Sequence, residues 1–194
     1  MPQDLLHAIP HELPVPLDDG ACDHLVGLLL PEVGLLATTG DSINLAKISG
    51  WLVIYCYPMT GQPGRGIPDG WVQIPGAAGC TPEACSFRDH YRELRALNTQ
   101  VFGISTQSTA DQLEAAQRLH LPFALLSDAG LQFAQALGLP LFECAGMRLL
   151  KRVTLIVKEG IIQKCYYPVF PPDQNVNEVL AWLGKWGAEP STLR

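Results

Sequence analysis

The continuous apolar run Trp51 to Tyr57 (WLVIYCY) is built of β-formers and predicts a buried central strand, which Pro58 ends. Upstream, from Leu28, the pattern LLLPEVGLLATTGDSINLAKISG predicts two short strands joined by a Thr-Thr-Gly-Asp turn. Downstream, residues 59–79 are punctuated by Gly61, Pro63, Gly64, Gly66, Pro68, Gly70, Pro75, Gly76 and Gly79. A stretch of that length is rarely structureless inside a compact domain, so it reads as a functional or partly ordered loop. From Cys80 to about Asn98, Ala84, Phe87, Tyr91, Leu94 and Leu97 recur at three- and four-residue spacing and predict one helix. Gln100 to Ser105 reads as a strand, Ser108 to His120 as a helix, and PFALLSD as containing a short strand. Leu131 to Leu137 predicts a short helix ended by Gly138. Arg152 to Val157 and Ile161 to Tyr167 predict a hairpin about Lys158-Glu159-Gly160, and Asn175 to Trp186 a closing helix.

Strand, helix, strand, helix, strand and hairpin is an α/β order, with a mixed sheet between helices. A thioredoxin-like sandwich fits it, and so do other α/β folds, so the order alone does not decide. Residues 1–20 are rich in proline and alternate acidic with apolar positions, as an arm on the domain surface would. The expected division is an N-terminal arm over 1–22 and one domain over 23–188, with a loop inserted at about 61–77. No repeat is visible.

Composition narrows the partners more than the fold. The 194 residues suit one domain; 47% are apolar and 16% charged, a globular balance. A net charge of −6 and a pI near 5.3 argue against a wide nucleic-acid footprint. No apolar run approaches the ~18 residues of a membrane span, and the N-terminus lacks a cationic region ahead of an apolar stretch. The expectation is a cytoplasmic protein without nucleic-acid or membrane partners.

In that setting the six cysteines, at 22, 56, 80, 85, 144 and 165, are expected to be reduced, and any disulfide to be transient. Cys56 and Cys165 lie in apolar runs and read as small apolar side chains of strands. Cys80 and Cys85 are close together where a helix starts. Unpaired N–H groups and the helix dipole lower a thiol pKa there, and the thiolate is the nucleophile. Gly79 can adopt an unusual backbone conformation, Pro82 suits a first turn, and Glu83 stands as in a capping box. Facing the sulfur, Glu83 would oppose thiolate formation, so a nearby cation is needed.

Residues five apart on an ideal helix have Cα atoms roughly 8–9 Å apart, whereas a disulfide needs less than about 7 Å. If Cys80 and Cys85 pair, the first turn or two must therefore unwind. Cys85 as a merely small buried residue stays open. A structural zinc site would need four ligands, and no complementary cysteine or histidine pair appears; neither metal nor cofactor is expected.

The segment Gly79-Cys80-Thr81-Pro82-Glu83-Ala84-Cys85-Ser86-Phe87-Arg88-Asp89 resembles the active-site helix of peroxiredoxins of the Q type, or bacterioferritin comigratory proteins, with their Gly-Cys-Thr-x-x-Ala-Cys-x-x-Arg-Asp pattern. Tyr55-Cys56-Tyr57-Pro58, Val101 to Thr106, Phe123 to Asp128 and Lys151 to Val157 are similar to further segments of that family. The likeness spans roughly Leu28 to Trp186.

It implies a thioredoxin-like fold and a thiol peroxidase acting on hydrogen peroxide or organic hydroperoxides. Cys80 would form the sulfenic acid, Cys85 would close an intrachain disulfide, and Arg152 would stabilise the thiolate. Arg88 matches the pattern and equally reads as a surface salt bridge. The family's threonine three residues before the cysteine is replaced here by Ala77. Pro58-Met59-Thr60-Gly61 resembles that proline and threonine, followed by an insertion; Thr60 would then hold the peroxide. The implied reductant is thioredoxin or glutaredoxin, and the implied state monomer or homodimer. Cys144 and Cys165 stay open as other resolving partners. Two other readings use the same residues. One is a thiol–disulfide oxidoreductase or redox sensor; the other is a non-enzymatic binding module whose contact surface is the insertion.

Overall fold

The expected pair of short strands forms a hairpin, β1 (Gly34–Ala37) with β2 (Ser42–Asn44). β3 (Trp51–Cys56) follows, buried along its whole length. After the long loop come α1 (Cys80–Asp89), α2 (Tyr91–Ala96), β4 (Thr99–Ser105), α3 (Thr109–Arg118), β5 (Leu125–Ser127) and α4 (Gln132–Leu137). The chain then forms β6 (Leu141–Cys144), β7 (Met147–Leu150), β8 (Val153–Lys158), β9 (Ile161–Tyr166) and α5 (Asn175–Trp186). This computed structural model describes residues 13–186; residues 1–12 of the expected arm and 187–188 of the expected domain lie outside the described residues.

Seven strands make one mixed sheet in the order β2-β1-β5-β4-β3-β8-β9. β3 runs parallel to β4 and antiparallel to β8, and β4 runs parallel to β5. Period two along β3 divides its side chains between two cores. Leu52, Ile54 and Cys56 join the core against α4 and the N-terminal segment. Trp51, Val53, Tyr55 and Tyr57 join the core against α1, α3 and α5, which also holds Cys80.

Tyr55 fixes the height of α1. Its ring stacks on Phe87 with centroids 4.7 Å apart. It lies so close across β4 that a Cβ on Gly103 would stand 2.6 Å from Tyr55 Cζ. Glycine there leaves room for the ring that carries the cysteine helix.

Three expectations change. The helix expected over 80–98 is broken at His90 (φ −99, ψ 8), which ends α1 and begins α2; its backbone N–H donates to Ser86 O and its ring Nδ1 lies 3.0 Å from that same oxygen. A second hairpin, β6 with β7, stands where no strand was expected. It packs against the inserted loop, which carries a 3₁₀ turn (Trp71–Gln73) and buries Trp71 and Ala77 with Cys144 and Leu149. The loop and this hairpin thus share a small core apart from the main ones. Lastly, Cys22, the final residue of the expected arm, is buried in the main core, and Asp19 accepts hydrogen bonds from Tyr167 and Lys151 at 2.8 Å each.

Candidate active site

Gly79 precedes α1 with φ 100, a conformation that L residues rarely adopt, and this turns the chain so that Cys80 becomes the first helical residue. A Cβ on Gly79 would stand 2.4 Å from Pro172 Cγ, so the short turn Pro172–Gln174 presses directly on the helix start. Ser86 Oγ donates to Asp173 O at 2.6 Å and ties the same turn to the middle of the helix.

Cys80 is 4% exposed. Arg152 Nη2 donates to its sulfur at 3.2 Å, and the thiol faces Ala77 O at 3.6 Å. The Met59 backbone N–H also acts on the thiol, favouring its charged form. The two cysteines expected to pair lie in one unbroken helix as free thiols, Cys85 half-buried beside Arg88.

Arg152 is buried just before β8 and makes its second contact to Glu83 Oε2 through Nη1. Its Nη2 also lies 3.2 Å from Ala78 O and 3.4 Å from Gly76 O. The expected capping box is therefore corrected. No side chain caps α1, and Glu83 is fully buried because its carboxylate turns inward to the guanidinium. The partner of that carboxylate is thus the guanidinium and not an orphan N–H of the first turn.

These charges pull against each other. Burial pushes the Cys80 thiol up, Arg152 pulls it down, Glu83 pushes it up again, and the Met59 N–H lowers it, with the net direction upward. Burial pushes Glu83 up to about 7 against the pull of Arg152. Burial disfavours the Arg152 cation too, but Cys80 and Glu83 more than compensate, so its pKa is raised. A guanidinium stays charged in proteins, so Glu83 and Cys80 are the partners that titrate. Burial likewise raises Cys85, opposed by Arg88.

Thr60 is buried, and its hydroxyl donates to Gln107 Oε1 at 3.1 Å while its backbone N–H donates to the same oxygen at 2.9 Å. Gln107 Nε2 returns a bond to Thr60 O at 3.1 Å. The chain thus passes the sulfur at Met59, is clamped at Thr60, leaves through Trp71 and returns at Gly76. Gln107 and the Met59 N–H escaped the sequence reading; Gln107 lies just beyond a strand end, where only position hinted at a role. Arg88 donates to Asp89 at 2.8 Å and to Leu119 O at 2.8 Å, a role in holding the helix. Cys165 packs with the core on the other face of the sheet from Cys80, and Cys144 is buried under Trp71.

Beside Arg152 a cavity of about 320 Å³ is walled by Val15, Leu17, Ile74, Phe142 and Val169, with Lys151 also in its wall. Among the described residues no cluster of histidine, cysteine, aspartate and glutamate forms a metal site, and no helix is long and apolar enough to cross a membrane.

A model of the Redoxin family matches residues 25–181. A chloroplastic peroxiredoxin Q of Oryza sativa subsp. japonica is 30% identical over 158 residues, 81% of this chain and 65% of that protein. The chain thus spans about 65% of the length of the rice relatives that it matches. A chloroplastic peroxiredoxin Q of Sedum lineare is 30% identical over 79% of this chain and 74% of its own. The crystal structure of the peroxidoxin BcpB of Mycobacterium tuberculosis superimposes with a TM-score of 0.68 and 26% identity, covering 84% of this chain and 98% of that one.

Proposed function

The chain belongs to the Redoxin family as a peroxiredoxin of the Q type, and on that premise we propose that it is a thiol-dependent peroxidase whose nucleophile is Cys80. The observation that carries this reading is the buried Arg152 Nη2 at 3.2 Å from the Cys80 sulfur. A fixed cation at that distance favours the thiolate and the charge that develops on a hydroperoxide's departing oxygen.

Cys80 and Glu83 compete for this one cation. A proton passing from the thiol to Glu83 leaves the net charge of the buried cluster unchanged and frees Arg152 to face the thiolate. The thiolate then attacks the distal oxygen of ROOH, the O–O bond breaks, and Cys80 becomes a sulfenic acid as the departing RO⁻ takes up the proton that the thiol released and leaves as ROH. Thr60 donates its hydroxyl proton to Gln107 and keeps lone pairs free to accept from a hydroperoxide O–H. The cavity beside Arg152 has mainly apolar walls, and although neither Cys80 nor Thr60 lines it, it offers room for the apolar tail of a hydroperoxide.

Resolution by the Cys85 thiolate forms the Cys80–Cys85 bond and expels water. For this the helix must open. Residues 86–88 are anchored through Ser86 to Asp173, Phe87 to Tyr55 and Arg88 to Leu119. Upstream, the Glu83–Arg152 pair and the Cys80 contacts hold the turn. The break is therefore expected ahead of Ser86, where the opened turn presents the disulfide to a thioredoxin- or glutaredoxin-type dithiol.

Hydroperoxide consumption coupled to such a reductant tests the assignment. Cys80→Ser is expected to lose at least about 10³-fold in rate. Cys85→Ser is expected to complete one rapid oxidation and then stall. A Cys80→Ser protein that consumes peroxide like the parent would overturn the reading. A parent no faster with peroxide than a free thiol, yet quick with disulfides, would favour the oxidoreductase reading instead.

A further inference from the structure

A second pair of cysteines lies in the core on the sheet face opposite Cys80. β8 and β9 pair Ile156 with Lys164 but Val157 with Ile162, so Gln163 is an extra residue, a β-bulge. Without it, period two would put Ile162 and Cys165 on opposite faces. With it, Ile162, Cys165 and Tyr167 all pack into the core that holds Cys22, Leu25 and Cys56.

The segment carrying Cys22 runs along β9 and is held there at both ends. Gly27 N–H donates to Ile162 O and Ile162 N–H to Leu28 O, at 2.8 and 2.9 Å. At the other end Asp19 takes the Tyr167 hydroxyl and the Lys151 ammonium. Between these ties Cys22 and Cys165 are brought together in the same core, and their side chains interact.

We infer that Cys22 and Cys165 form a second dithiol–disulfide couple, one whose oxidation staples the turn at residues 18–23 to β9. The two sulfurs have unequal parts. The neighbouring Cys165 side chain, and then burial, push the Cys22 thiol up and hold its proton. The Cys22 side chain lowers the Cys165 thiol, with help from Lys164 and against burial. Cys165 is also the more exposed of the two, whereas Cys22 is buried. Cys165 therefore meets the oxidant and Cys22 resolves. With a hydroperoxide as oxidant, Cys165 attacks one peroxide oxygen and becomes a sulfenic acid as ROH departs. The Cys22 sulfur then displaces water from it. Two thiols lose two electrons and two protons, and ROOH becomes ROH and H₂O. Cys56, buried in the same core, has its thiol raised by burial and takes no part.

The staple bears on the other site through the chain just before it. Val15, Pro16 and Leu17 wall the cavity that Arg152 lines, and the turn at 18–23 is their anchor. The bond also closes a loop of well over a hundred residues, the kind of closure that most restricts the unfolded chain.

The test uses the full chain, fully reduced and then held in excess hydrogen peroxide, alkylated and mapped by peptide mass spectrometry, with melting followed in parallel. A Cys22–Cys165 peptide is expected in the parent and equally in Cys80→Ser, so the result does not depend on the peroxidase assignment. The oxidised Cys80→Ser protein is expected to melt on the order of 5–15 °C above its reduced form. Cys165→Ser should lose both the peptide and the difference in melting. Alkylation of both thiols after oxidation, a bond from either to another cysteine, or the peptide without a rise in melting would each overturn the proposal.

Discussion

Replacing Arg152 with methionine is expected to slow peroxide reduction by about 10²–10³-fold and to cost about 3–5 kcal/mol of stability at pH 8. Both effects start from the same guanidinium, which is buried between the Cys80 sulfur and the Glu83 carboxylate. Methionine fills much of the volume but leaves the thiolate without its cation and Glu83 as a lone buried charge.

The stability cost depends on pH. Glu83 in the folded protein is raised from 4.5 to about 7, so the native state binds this proton more tightly than the unfolded chain does. The group's favourable contribution is full below pH 4.5 and is lost as pH rises through about 7. Losing Arg152 raises Glu83 further, so at pH 6 the carboxyl is simply neutral and the penalty shrinks. Adding Glu83→Gln to Arg152→Met should recover most of the pH-dependent loss, as read by denaturant unfolding at pH 6 and pH 8. It should recover none of the rate, because the sulfur still lacks its cation. Recovery of both would mean that Arg152 matters only as Glu83's partner.

Gly79→Ala is the second large effect. The new Cβ must live at φ 100 and within 2.4 Å of Pro172 Cγ, a ring in a turn that is itself tied to α1 by Ser86. Backbone strain of about 1–3 kcal/mol and overpacking of about 1–3 kcal/mol add, so a loss on the order of 3 kcal/mol or more is expected. Because Cys80 follows at once, the first turn shifts with it, and a displacement near 1 Å costs on the order of 10²-fold in rate. Pro172→Ala in the same protein removes the clash but not the strain. It should return part of the stability, measured by thermal melting. A fully stable, fully active Gly79→Ala protein would contradict the description of the helix start.

Much of this was readable from the chain, and the exceptions have physical causes. β3 and α5 announced themselves because an unbroken apolar run and a clean helical period each leave one solution. The hairpin β6–β7 hid because its turn places Ala145 at φ 49 before Gly146 at φ 75, and alanine is a poor signal for a left-handed turn. The break at His90 hid because Tyr91 and Leu94 keep the helical period across it. Around Cys80, the sequence showed that a negatively charged Glu83 would demand a cation. The matched segment beginning at Lys151 implied Arg152. Neither told that one guanidinium would serve both groups, since the pairing joins residues far apart in the chain. The bulge at Gln163, which turns Cys165 toward Cys22, has no local signature at all.

The central claim is that a hydroperoxide oxidises Cys80 and that α1 then opens for Cys85. The most direct measurement mixes the reduced protein with one equivalent of hydrogen peroxide, quenches within seconds by alkylation and maps the cysteines by peptide mass spectrometry. A bond between Cys80 and Cys85, absent in Cys80→Ser, is the predicted result. Two free thiols after that exposure, or a bond from Cys80 to Cys144, would contradict it.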